Sequence, residues 1–303
     1  MNVPNTPNLF IVGAPKCGTT ALYAYLASHP EIFMSPLKEP EFFDSDIFAH
    51  QRSITTLKEY LNCFSGANGQ QKIGEASTHY LGSRRAAQEI KAFSPSAQII
   101  IMLRNPVDVM YALHSHRVYE NMDHIHDFEA AVKSNEERRW GEGRYKGEKV
   151  IRPGYREVCR FAEPVRRYFD VFGRENVKVV IYDDFRSDTA ATYSEVLRFL
   201  HVSQVPTTNF PIVNANHRFR NVAIQEFVRH PPKLLRHLAH GLFSQNVRSG
   251  AGKFLLRLNT VNKPRPPISE HLRRRLESEC KSDIEELSRM LGRDLSRWCE
   301  STS

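Results

Sequence analysis

The chain has 303 residues, 41% hydrophobic and 25% charged, which suits one large globular domain with a sizeable core and excludes a fibrous or low-complexity protein. Its net charge of +8 is uneven: residues 211–275 hold thirteen Lys/Arg against two acidic residues, while the remainder holds 29 basic and 32 acidic ones. No apolar run approaches the roughly 18 residues of a membrane span, and the opening Met-Asn-Val-Pro-Asn-Thr-Pro-Asn has neither region of a signal peptide.

Leu9 to Val12 reads as a short buried strand. It breaks at Gly13, turns through Pro15 and enters a helix near Thr19 and Thr20. Strand, glycine-bounded loop and helix start together form an anion cradle, because the loop and first-turn N–H groups converge. The spacing Gly13-x4-Gly18 copies the nucleotide-triphosphate P-loop, which requires Lys-Ser/Thr directly after its second glycine. Thr19-Thr20 stand there instead, and the lysine sits inside the loop as Lys16. A lysine at the loop apex presses on the bridging atoms of a nearer group, which points to a phosphate-bearing donor other than ATP.

Farther along, a helix over Ala21–Leu26 stops before His29-Pro30, and residues 31–45 read as loop. Helices are expected near Ile54–Cys63, over Arg84–Phe93, Val107–Tyr119 and Thr189–Leu200, with one long amphipathic helix over Tyr155–Phe172. Strands are expected at Lys72–Glu75, Ala97–Leu103 and Val177–Tyr182. Gly141–Pro153 and Thr207–Pro211 read as loops, and Val261–Pro267 as a break before a final helix, Ser269–Leu291. Strands alternating with helices predict an α/β fold, a parallel sheet covered on both faces, whose ligands bind beyond the carboxyl ends of the strands.

Three segments converge on one family: Pro15-Lys16-Cys17-Gly18-Thr19-Thr20; Ile99 through Asp108, a buried strand delivering Arg104 before Asn105-Pro106; and Lys38-Glu39-Pro40-Glu41-Phe42-Phe43. Together they resemble the sulfotransferases that use 3′-phosphoadenosine 5′-phosphosulfate, especially the bacterial and glycan (heparan-type) branch. The resemblance extends through Gly74–Thr78, Gly154-Tyr155, Val177–Phe185 and Asn214–Asn221, about residues 8–225. It implies a P-loop-like, nucleotide-kinase-related sheet in a single domain; beyond the matched part, charge and amphipathic pattern predict a basic helical segment near 226–267 and a C-terminal helix near 268–298. It implies an enzyme moving a sulfuryl group from that donor to an acceptor hydroxyl on a glycan, lipid or small molecule, with no metal and no nucleic-acid partner. A P-loop-type kinase or a non-catalytic nucleotide- or anion-binding protein is the alternative.

The donor carries a 5′-phosphosulfate and a 3′-phosphate, so two anion sites are required. The first is the 15–20 loop: its N–H groups, the Thr19 and Thr20 hydroxyls and Lys16, with Pro15, Cys17 and Gly18 shaping the turn. Arg104 is the candidate for the second. The family places a serine eight residues after that arginine, but Ala112 stands here, and Ser115 lies one turn further as a substitute. The resemblance also implies that Arg218 and Arg220 close over the donor. Lys16 is placed to neutralise charge on the leaving oxygen. Glutamate of the Lys-Glu-Pro motif is the base in glycan-type relatives, which nominates Glu39, with His79 and His116 as rivals.

The remaining features have plainer readings. His114 and His116, two apart on a helix, point in different directions and cannot chelate. Asp183-Asp184 imitates the acidic strand end of nucleotide phosphatases without the matching Lys-Ser, and reads as a structural terminus. Cys17 reads as a small side chain in a crowded turn. Five scattered cysteines, odd in number, suit reduced thiols and a cytoplasmic protein. The basic stretch 229–265 admits two readings: a helical flap beside the acceptor site able to touch an acidic or membrane surface, or a helical pair packed on the core.

Overall fold

A computed structural model of the chain describes residues 5–48, 53–120, 122–137, 141–145, 148–205, 210–211, 217–219, 260–262 and 265–300. The chain divides into two compact units, Met1–Val213 with Ile268–Ser303, and Asn214–Pro267.

The first unit is built on five parallel strands: β1 (Leu9–Gly13), β2 (Ile32–Met34), β3 (Lys72–Ala76), β4 (Gln98–Leu103) and, later in the chain, Val177–Ile181. Two antiparallel pairs complete the strand set. One is β5 (Gly141–Tyr145) with β6 (Glu148–Arg152). Val177–Ile181 is then β7, and the second unit pairs β8 (His217–Phe219) with β9 (Thr260–Asn262). The main sheet runs β2-β3-β1-β4-β7, with β1 in the centre. Every residue of β1 and β4 is buried, as continuous apolar runs require when both faces of a parallel sheet are covered.

Eleven α-helices are found among the described residues: α1 (Thr19–Ala27), α2 (Ser45–Phe48), α3 (Leu57–Asn62), α4 (Ala86–Phe93), α5 (Pro106–Tyr119), α6 (Phe128–Glu137), α7 (Tyr155–Val158), α8 (Ala162–Phe172), α9 (Tyr182–Ser187), α10 (Thr189–Leu200) and α11 (Glu270–Leu291). Their starts follow side-chain chemistry. Thr56 and Glu59 form a reciprocal capping box on α3. Asn105 Oδ1 accepts from the Val107 N–H, with Pro106 in the first turn of α5. Ser269 caps α11.

The structure departs from the sequence reading in several places, among them α2 and α6, which the reading did not expect. Residues 31–45 contain the edge strand β2, whose three residues between Pro30 and Pro36 are too few to show a period. Gly141–Pro153 contains the β5–β6 hairpin. The expected helix Tyr155–Phe172 is two helices, because the Asp283 carboxylate from α11 accepts from the Phe161 and Ala162 N–H groups at 2.8 and 3.3 Å and so caps a fresh start. Tyr182 opens α9 rather than closing β7.

In the second unit, the Val261–Pro267 break begins within β9. The flap expected over 229–265 otherwise falls almost wholly outside the described residues.

The C-terminal end is fastened to the sheet. Trp298, 2% exposed, donates its indole N–H to Asp183 Oδ2 at 2.9 Å. Arg293 grips Asp184 through both guanidinium nitrogens, Nη2 to Oδ1 at 2.7 Å. Asp183 and Asp184 therefore hold a helix in place, as their structural reading expected. Trp298→Ala removes a buried indole and should lower unfolding free energy by about 3–5 kcal/mol, read as a reduced urea midpoint at unchanged slope. A loss below about 1 kcal/mol would show that this end lies outside the cooperative core.

Candidate active site

All strands of the main sheet run the same way, so the loops after β1, β2, β3, β4 and β7 leave from one edge. The loop after β1 turns sharply: Gly13, Lys16 and Gly18 have φ of 147°, 64° and 91°. A Cβ on Gly13 would sit 2.8 Å from the Thr78 carbonyl oxygen, and one on Gly18 would sit 2.9 Å from the Tyr182 ring, so both positions need glycine for space as well as conformation. The Ala14 N–H is tied to the Met102 carbonyl at 2.7 Å. Gly18 caps α1 without any side-chain hydrogen bond; the Ala21 N–H closes onto the Gly18 carbonyl at 3.0 Å, and the Thr19 and Thr20 N–H groups are the first-turn donors left open to a ligand. Thr19 is buried, while Pro15, Lys16 and Thr20 are half-buried. Cys17 is fully buried with Sγ 3.5 Å from the Pro15 carbonyl. Burial pushes its thiol up to about 12, against the opposing pull of the Arg104 charge.

Arg104 leaves the carboxyl end of β4 with its guanidinium over the Tyr182 ring, 4.7 Å from the centroid. Its Nη2 meets Asp108 Oδ2 at 3.3 Å, and its Nε–H is buried without a hydrogen-bond acceptor. Asp108 Oδ1 also receives Nη2 of Arg273, from α11, at 2.9 Å. One carboxylate is thus shared by two guanidiniums, leaving positive charge at the strand end. Ala112 is buried one turn along α5. Ser115, a turn beyond, donates its hydroxyl proton to the Tyr111 carbonyl at 2.9 Å. Arg218 lies in β8 of the second unit with its side chain outside the described residues, and Arg220 lies outside them altogether.

Glu39 sits in the loop after β2 with φ of 59°, and its N–H bonds the Ala76 carbonyl at 3.0 Å. Its carboxylate pairs with Lys38 and accepts from Thr78 Oγ1 at 3.4 Å. Burial raises its pKa, but the charges of Lys38, His79 and Lys16 and the Lys38 bond outweigh burial and hold it below the usual carboxylate range. Lys16 and Glu39, twenty-three positions apart in sequence, therefore share one field. His79 Nδ1 bonds Glu41 Oε1 at 2.9 Å. Glu41, Asp44 and His79 bring ligand-type atoms within 4.8 Å of one another, with His79 and Glu41 joined by that hydrogen bond and Asp44 fully buried beside them. His116 stands near the end of α5, and His114 bonds the Ile125 carbonyl at 2.8 Å as a core histidine.

Sequence reasoning missed the support beneath this loop. Glu75, in β3, is fully buried and accepts from the hydroxyls of Tyr60, Tyr80 and Ser77. A glutamate inside a buried strand was the available signal, since a buried carboxylate must be hydrogen-bonded.

With its thiol raised to about 12, Cys17 should stay unmodified by iodoacetamide at pH 8 for as long as the chain is folded. Peptide mapping by mass spectrometry checks this. Rapid labelling of native Cys17 would place that thiol in an open, activated setting.

The sulfotransferase domain family model matches residues 6–225. Human carbohydrate sulfotransferase 15 is 33% identical over 147 residues, 35% of this chain and 26% of that protein. The mouse protein of the same name is 26% identical over 250 residues, 65% of this chain and 44% of that protein. Mouse bifunctional heparan sulfate N-deacetylase/N-sulfotransferase 4 is 26% identical over 207 residues, 65% of this chain and 22% of that protein. The chain thus spans less than half the length of these curated relatives. A solved sulfotransferase from Alicyclobacillus acidocaldarius matches with a TM-score of 0.70 at 29% identity, covering 97% of this chain and 99% of that one. On the match across residues 6–225, this chain belongs to the sulfotransferase family.

Proposed function

We propose that this protein transfers a sulfuryl group from 3′-phosphoadenosine 5′-phosphosulfate to an acceptor group, a hydroxyl first and an amine by analogy with the N-sulfotransferase relatives. The observation that carries this reading is the shared field of Lys16 and Glu39, with the anion-facing start of α1 between the loops and Arg104 on the neighbouring strand. The acceptor oxygen attacks sulfur in line. The bond from sulfur to the bridging oxygen breaks, and its electron pair stays on the 5′-phosphate of the departing adenosine 3′,5′-bisphosphate. Lys16 and the first-turn N–H groups of α1 neutralise that growing charge. Glu39, ionised through the neutral range, takes the acceptor's proton.

Arg104 binds the 3′-phosphate. Its orphaned Nε–H and its stacking on Tyr182 present an oriented donor edge that a phosphate completes. Ser115 can assist by turning its hydroxyl from the Tyr111 carbonyl. The family resemblance nominates Arg218 and Arg220 as further donor-binding residues. The names of the carbohydrate and heparan sulfate relatives favour a glycan acceptor. Five free thiols favour a reducing, cytoplasm-like setting, and among the described residues no helix is long and apolar enough to cross a membrane. A sulfuryl group carries less charge than a phosphoryl group, so turnover should persist in chelator where a kinase would stop.

Labelled donor screened against a panel of glycans, lipids and small alcohols tests the reading directly. Lys16→Ala should lower kcat about 10²–10³-fold while adenosine 3′,5′-bisphosphate affinity falls much less. Equal losses in both would make Lys16 a binding residue alone. Arg104→Ala should cut the preference for adenosine 3′,5′-bisphosphate over adenosine 5′-monophosphate by about tenfold or more, measured by calorimetry. An intact preference would move the second anion site elsewhere.

A further inference from the structure

Glu75 is a fully buried carboxylate to which the transfer mechanism gives no task. It lies opposite Phe10 in the β1–β3 register, at 0% exposure. Its Oε1 accepts from Tyr60 at 2.7 Å and Tyr80 at 2.9 Å, and its Oε2 from Ser77 at 2.6 Å. Two of those hydroxyls serve the loop that carries Glu39. Ser77 Oγ accepts from the Glu41 N–H at 3.2 Å. Tyr80 Oη accepts from the Phe42 and Phe43 N–H groups at 2.8 and 3.3 Å. The Phe42 ring stacks on Tyr60 with centroids 4.6 Å apart, so the third hydroxyl donor also buttresses the loop.

Hydrogen-bond direction makes this arrangement conditional. A hydroxyl has one proton. Ser77 and Tyr80 can turn their lone pairs toward three consecutive backbone N–H groups because each points its proton at a carboxylate. We propose that Glu75 is a positioning residue: by fixing the hydroxyl protons of Ser77 and Tyr80 it holds residues 41–43, and through them the Glu39 carboxylate, in the working geometry. Its catalytic consequence rests on the sulfuryl-transfer reading, whereas the hold on 41–43 does not.

Protonation of Glu75 inverts the pattern, since a neutral carboxyl must donate from one oxygen and force one hydroxyl to redirect its proton. Burial pushes Glu75 up to about 7, with the three hydroxyl bonds pulling down and the Asp44 charge adding to the rise. The groups facing it are Tyr60 from α3, Cys63 just after it, Ser77 and Tyr80 after β3, Asp44 before α2 and Tyr168 from α8. The phenols and the thiol are themselves raised and stay neutral, so Glu75 carries the titration of this network near pH 7. The loop is therefore held above about pH 7 and released below it. Global stability runs the other way. The folded chain holds this proton more tightly than the unfolded chain, so the Glu75 contribution falls as pH rises from the ordinary carboxylate range to about 7. Loss of an ordinary structural residue would not separate those two trends.

Glu75→Gln and Ser77→Ala, made in the full chain, test the inference with three readouts. Amide hydrogen exchange at 41–43, corrected for the intrinsic rate, should rise about tenfold at pH 8 in Glu75→Gln and a few-fold in Ser77→Ala. Adenosine 3′,5′-bisphosphate affinity should hold within about twofold, since the nucleotide contacts are on other loops. Wild-type kcat should fall through a limb near pH 7, and in Glu75→Gln that limb should vanish at a kcat about tenfold lower. Unchanged exchange at 41–43 in both variants overturns the proposal, as does a limb near 7 that survives in Glu75→Gln. A wild-type chain that sulfates no acceptor counts against the sulfuryl-transfer reading, and the exchange measurement still decides the role of Glu75.

Discussion

Parallel strand direction is the constraint from which the site follows. Antiparallel neighbours would send alternate loops to opposite edges of a sheet. Here five parallel strands put the turns after β1, β2, β3, β4 and β7 on one edge, with β1 in the middle. Central placement requires burial on both faces, which is why β1 and β4 are continuous apolar runs. The same centrality flanks the β1 loop with β3 on one side and β4 on the other. Its two space-limited glycines record that crowding: Gly13 lies against the Thr78 carbonyl after β3, and Gly18 against the Tyr182 ring after β7. Close packing holds the loop in the left-handed conformations that its N–H groups need to converge.

Burial acts on two carboxylates of this edge with opposite outcomes. It raises both Glu39 and Glu75. Glu39 has cations around it, Lys38 and Lys16 with His79, and their combined pull exceeds the desolvation penalty. Glu75 has hydroxyl dipoles, which oppose burial without overcoming it, so its value settles near 7. The two lie on adjoining loop and strand, joined by the Glu39 N–H to Ala76 carbonyl bond. Environments that drive neighbouring carboxylates apart separate a group that is charged throughout the neutral range from one that changes state within it. The first suits proton acceptance, and the second suits control of the first.

The parts of this molecule that were legible in sequence are those written in local pattern. Apolar runs marked β1, β4 and β7 nearly to the residue, β3 was read as a short strand over Lys72–Glu75, and glycine spacing with an off-position lysine picked out the loop after β1. What was not legible depends on partners distant in sequence. The break between α7 and α8 is signalled locally by Pro164, which sits in the first turn of α8, but the carboxylate that caps the new start is Asp283, more than a hundred residues downstream. Glu75 could be seen as a strand residue, but its three hydroxyl partners come from α3 and the loop after β3 and meet only in the fold. The motif match nominated Glu39, while its tie to Lys16 needed the strand order. Ala112 was legible as a departure, and the structure adds that Ser115 has turned its proton to its own helix.

Helix α11 connects the site to the far end of the chain. It follows the second unit in sequence yet belongs to the first, and it reaches three separate structural junctions. Arg273 shares Asp108 with Arg104 at the β4–α5 turn, Asp283 caps α8, and the segment just beyond α11 grips Asp183 and Asp184 after β7. The Arg273–Asp108 pair is partly exposed and adds at most about 1 kcal/mol to stability, so its physical importance is orientational. Asp108 without Arg273 would bear full negative charge against Arg104 and bind that guanidinium to itself. Shared between two cations, it can steer Arg104 over the Tyr182 ring and still leave it positive enough to take a phosphate. The charge at the strand end after β4 is thereby tuned by a helix that begins 45 residues past the end of the family match at residue 225.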